Sequence, residues 1–106
     1  MIQDDDIEKV VDYMRDSAPK AAKAKAERIY VEEYKHVVKS QIMRENDDKS
    51  LGAQEAIAYA DPRFTQHLEA IKEAVEKDEY HRWMLKAAEA KLEAWRTQCS
   101  NQRANL

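Results

Sequence analysis

From Arg63 to the C-terminus the sequence contains neither glycine nor proline, and residues of high helix propensity dominate. Asp61 is suited to cap a helix that starts there. Pro62 suits its first turn, where no backbone N–H is required. Leu68, Ile71 and Val75 fall at 3/4 spacing, and Leu85, Ala88, Leu92, Trp95 and Cys99 resume it. One helix over 62–105 is therefore expected, roughly 65 Å long at 1.5 Å per residue. A globule of this chain length has a radius of gyration of only about 13 Å. The expected fold is all-α: an elongated antiparallel helical hairpin, coiled-coil-like, with two long and two short helices in a single domain.

The rest of the chain is read around that helix. Asp4, Asp5 and Asp6 supply negative charge at a helix N-terminus, and Ile7, Val10, Val11 and Met14 follow at i, i+3, i+4 and i+7. This predicts a short helix over 1–17, broken at Ser17-Ala18-Pro19 because proline disfavours helix at the preceding residue. A long helix over 19–45 follows, with Val31, Tyr34, Val38 and Ile42 as its stripe. Residues 46–61 read as a loop and a short helix that Ser50 can cap. Folding 19–45 back onto the long helix gives the hairpin. In that pairing residues 1–16 either cover the remaining stripe around Trp95 or leave it free for self-association.

Composition excludes several function classes. Charged residues make up 37% of the 106 residues, and the single Gly52 allows no glycine-rich phosphate loop. No nucleophile–base set and no zinc spacing is present, so the chain is not expected to be an enzyme, to hold a cofactor or to take a small-molecule substrate. No apolar run is long enough to span a bilayer. The opening Met-Ile-Gln-Asp-Asp-Asp has no secretory-signal character. The one cysteine, Cys99, cannot form an internal disulfide and continues the apolar stripe as a small core residue. A reducing cytoplasm is the expected location.

Few polar residues invite a chemical reading. Glu33 with His36 and Asp78 with His81 have the i, i+3 spacing of carboxylate–histidine metal ligands, but such spacing arises easily in a charge-rich helix. A solvated face is expected for both. His67 is expected to pack at the boundary of the stripe. Asp78 and Arg82 project near the middle of the Leu68–Ile71–Val75 face. They form either an i, i+4 pair at its edge or an inward ion pair that fixes register.

Two surfaces stand out. The apolar stripe around Trp83, Leu85, Ala88, Leu92, Trp95 and Cys99 is expected to bind a protein partner, with a second copy of the chain as one candidate. The alternative is single-stranded nucleic acid. Residues 20–44 carry seven basic side chains against three acidic ones, and 81–106 carry five against two. If the hairpin brings the end of the long helix beside residue 20, then Lys20, Lys23, Lys25, Arg28, Lys35 and Lys39 join Arg96 and Arg103 in one basic end.

Three runs are familiar together: Ala26-Glu27-Arg28-Ile29-Tyr30-Val31-Glu32-Glu33-Tyr34, Ala53-Gln54-Glu55 through Ala58-Tyr59-Ala60-Asp61-Pro62, and Arg82-Trp83 through Trp95-Arg96-Thr97-Gln98 to Arg103. Over most of 20–104 the chain resembles small helical proteins of unknown function encoded by tailed bacteriophages and prophages, often near genes of DNA recombination or single-strand binding. The resemblance implies phage origin and a setting in phage DNA metabolism. It supplies no catalytic residues.

Overall fold

The computed structural model describes residues 1–105 and contains three helices, α1 (Asp4–Arg44), α2 (Leu51–Ala60) and α3 (Pro62–Ala104), with no strand among the described residues. Two long helices and one short one make an all-α helical hairpin, as the sequence leads one to expect. The difference lies at Pro19. No break separates 1–17 from 19–45; α1 is one helix of 41 residues with Pro19 inside it. Pro19 is exposed, on the side of α1 turned away from the buried residues Ser17 and Ala24. There water can satisfy the Arg15 carbonyl that loses its helical donor. Burial on both sides of the proline, at Ile7, Val10 and Ala24, then outweighs its local cost.

The chain forms two compact units, Met1–Lys23 with Glu79–Leu106, and Ala24–Asp78. In the first, the start of α1 pairs antiparallel with the end of α3. The inward residues of α1 are Ile7, Val10, Met14, Ser17 and Ala21, and those of α3 are Leu85, Ala88, Leu92, Trp95 and Cys99. Both sets repeat at alternating steps of three and four, the spacing of a coiled-coil seam. The pairing is fixed at its end by two reciprocal hydrogen bonds. The Ile2 N–H donates to Gln98 Oε1 (3.1 Å), and Gln98 Nε2 donates to the Ile2 carbonyl (2.8 Å). The Trp95 indole N–H donates to Asp4 (3.3 Å). Asp6 reaches back to the Gln3 N–H (3.1 Å) and so closes the first turn of α1.

In the second unit all three helices meet. Ile42, Ala58 and Phe64, one from each helix, form its core, with Val38, Met43 and Ile57 packed around them. Asn46 caps the end of α1 by donating from Nδ2 to the Ile42 carbonyl (2.9 Å). The Ser50 hydroxyl accepts from the Ala53 N–H (3.3 Å) and starts α2. Asp61 serves two helices. Its N–H closes α2 on the Ala58 carbonyl, while its carboxylate accepts from the Arg63 N–H (2.8 Å) as the cap of α3. With Pro62 in the first turn, the start of α3 is as the sequence indicates.

Candidate interaction surface

The Ala24–Asp78 unit carries an unusual density of polar groups in its seam. Asp78 is 9% exposed. Its carboxylate lies 2.9 Å from Arg28 Nε on α1, with the two side chains 27% and 12% exposed. The guanidinium N–H is not aimed along that contact, and Arg28 Nε makes no hydrogen bond. The pair is therefore a charge contact of imperfect geometry. Asp78 is thus inward, and its partner is Arg28 rather than Arg82, which turns out to Glu79 (3.1 Å). Four residues before Ile71 the seam runs through His67, and Leu68 beside it stands 47% exposed. The His67 ring nitrogen Nε2 sits 2.6 Å from the Val31 carbonyl of α1. A carbonyl can only accept, so the Nε2–H tautomer is required.

The corner between α1 and α3 is ionic. Arg63 bonds both Glu45 oxygens (2.9 and 2.6 Å) and both Asp61 oxygens (3.1 and 3.0 Å). The hydrogen bonds from Arg63 hold the Glu45 and Asp61 carboxyls below their usual pKa values and raise that of the guanidinium. Lys39 donates to the Tyr59 hydroxyl (3.0 Å), approaches Glu55 (3.5 Å) and lies over the Tyr59 ring. The Tyr59 hydrogen bond leads the causes that raise its pKa.

This geometry disperses the basic set expected to meet nucleic acid. Arg28 is committed to Asp78, and Lys39 to Tyr59 and Glu55. Lys20, Lys23, Lys25 and Lys35 are exposed. At 100° per residue, however, Lys23 and Lys25 point about 200° apart around α1. Arg96 contacts Glu93 (3.5 Å). It follows Trp95, which bonds Asp4, and Arg103 lies beyond it on exposed helix. Because α1 starts at Asp4 instead of 19, the end of α3 lies beside an acidic segment. The joined basic end does not form.

The apolar stripe of α3 is divided. Leu85, Ala88, Leu92, Trp95 and Cys99 face α1 and are at least partly buried, so residues 1–23 cover them. Trp83 does not belong with them. It lies two positions from Leu85, about 200° around the helix, and is 62% exposed. Its neighbours on the outer face are Tyr80, 61% exposed, and the partly exposed Met84. Lys86 sits over the Trp83 ring, 4.8 Å from its centre.

A shallow furrow of about 330 Å³ is lined by His36, Val37, Ser40, Gln41 and Arg44, all of α1. Among the described residues no group of three or more His, Cys, Asp or Glu is placed to hold a metal, and no helix is long and apolar enough to cross a membrane. Glu33 and His36 are exposed. No family model matches the chain, and comparisons with curated proteins and with solved structures gave no significant match.

Proposed function

We propose that the chain is a non-enzymatic interaction protein that presents the outer face of α3 to a protein partner. One observation carries this reading. Tyr80, Trp83 and Met84 lie together on one exposed helix face, although the seam of the same helix is already packed against α1. Clustered apolar exposure of this kind marks binding surfaces, whereas single exposed hydrophobes do not. Tryptophan and tyrosine are also the side chains most enriched where binding energy concentrates. The resemblance to phage-encoded helical proteins supports a phage or prophage accessory role in the host cytoplasm. A part in phage DNA recombination or replication rests on that resemblance alone. The nucleic-acid alternative has no comparable support, since its basic residues are split among ion pairs and opposite helix faces.

A photo-cross-linking residue at Ala87, beside Trp83, tests the reading in cells that express the protein. Adducts to protein are expected from Ala87 and not from a control at Ser40 on the outer face of α1. Absence of adducts from Ala87, or the same adducts from both positions, contradicts it.

A further inference from the structure

The outer face of α3 carries a second ridge. Tyr80, Trp83, Ala87, Ala90, Ala94 and Thr97 recur at steps of three, four, three, four and three, and all are exposed. This is the spacing that one helix offers another in a coiled coil. The three alanines allow the axes to approach toward the lower end of the usual 8–10 Å range.

Resting on the interaction reading above, we propose that the partner on this ridge is a second copy of the chain. Its α3 packs antiparallel across a two-fold axis, so that Trp83 meets Ala94 of the copy, Tyr80 meets Thr97 and Ala87 meets Ala90. Each large side chain then falls on a small one, and the symmetry repeats every contact. Charge selects this register. The residues that flank the ridge are Glu79, Lys86 and Glu93 on one side and Met84 and Lys91 on the other. In the proposed register Lys86 faces Glu93 of the copy, twice over, and the aliphatic stem of Lys91 covers Met84. A slip of one heptad in one direction sets Lys86 against Lys86 and Lys77 against Lys91. A slip in the other sets Glu93 against Glu93 and Lys91 against Lys91. Parallel pairing puts Trp83 on Trp83 and Lys86 near Lys91. Of these four arrangements only the first joins opposite charges while it places large residues on small. Six layers of one helix pair make a small interface, below about 1,200 Å², so a dimer that dissociates in the micromolar range is expected.

Sedimentation equilibrium of the full chain, from micromolar to near-millimolar concentration, tests this. A monomer–dimer equilibrium is expected. Trp83→Glu should weaken it at least about 100-fold. The Trp83 side chain is exposed, so helix content by circular dichroism should not change. Lys86→Glu should weaken the dimer about tenfold, because two attractive pairs become repulsive. Adding Glu93→Lys should restore it. A protein that stays monomeric throughout, a dimer indifferent to Trp83→Glu, or a charge swap that fails to restore association would each overturn the proposal. A monomer that still cross-links from Ala87 to a different protein overturns the second copy and leaves the interaction reading standing. No cross-link at all removes both.

Discussion

Replacing Asp78 with leucine is expected to cost roughly 2–3 kcal/mol of stability, below the roughly 3–5 kcal/mol of a fully buried pair because the Arg28 side chain is 27% exposed. The cost arises from what remains: a guanidinium held in the seam between α1 and α3 with its counter-ion gone. The double variant Arg28→Leu/Asp78→Leu is expected to return close to the parent or above it, since apolar replacement of a buried pair is often neutral or stabilising. Urea denaturation of the three proteins gives both values. Were Asp78 paired with Arg82 at the edge of the stripe, the single variant would cost less than about 1 kcal/mol, as exposed pairs do. The double variant would then bring no recovery.

Pro19→Ala is expected to stabilise the protein by roughly 2 kcal/mol. Proline inside a helix costs about 3 kcal/mol relative to alanine. Alanine gives back up to about 1 kcal/mol through the greater freedom of its unfolded chain. Alanine restores the hydrogen bond to the Arg15 carbonyl, and the exposed position of Pro19 leaves room for the change. At about 4 °C per kcal/mol for a chain of this size, the melting temperature should rise by about 8 °C. A chain broken at 17–19, with Ser17 as the cap of a second helix, would gain nothing from this substitution.

Much of the fold is legible in residue order. Asp61-Pro62 marks the start of α3, Ser50 marks α2, and the Leu85–Ala88–Leu92–Trp95–Cys99 spacing identifies the inward side of α3. Pro19 misleads because its local rule is genuine but smaller than the burial of Ile7, Val10 and Ala24 on either side. That one break displaces the pairing, and with it the end of α3 moves from the basic segment to Ile2 and Asp4. In the second unit the seam passes through His67 and Asp78, and a search for apolar residues alone selects Leu68 and Val75 beside it. Asp78 and Arg28 are paired across the hairpin, a relation that spacing along one helix does not contain. Trp83 was separable from the stripe by helical phase alone, since it lies two residues from Leu85. Its chemical likeness to Trp95 hides this.

Fluorescence quenching of the two tryptophans, read one at a time, tests the central proposal most directly: the outer face of α3 meets a second copy of the chain, and the inner face is spent on the fold. In Trp95→Phe only Trp83 emits. At low concentration an external quencher should reach it freely, and at high concentration it should become shielded as copies associate. In Trp83→Phe the remaining Trp95, packed against α1 and bonded to Asp4, should be partly shielded to the same degree at every concentration. A Trp83 equally open at all concentrations, or a Trp95 that becomes shielded as concentration rises, would contradict the account.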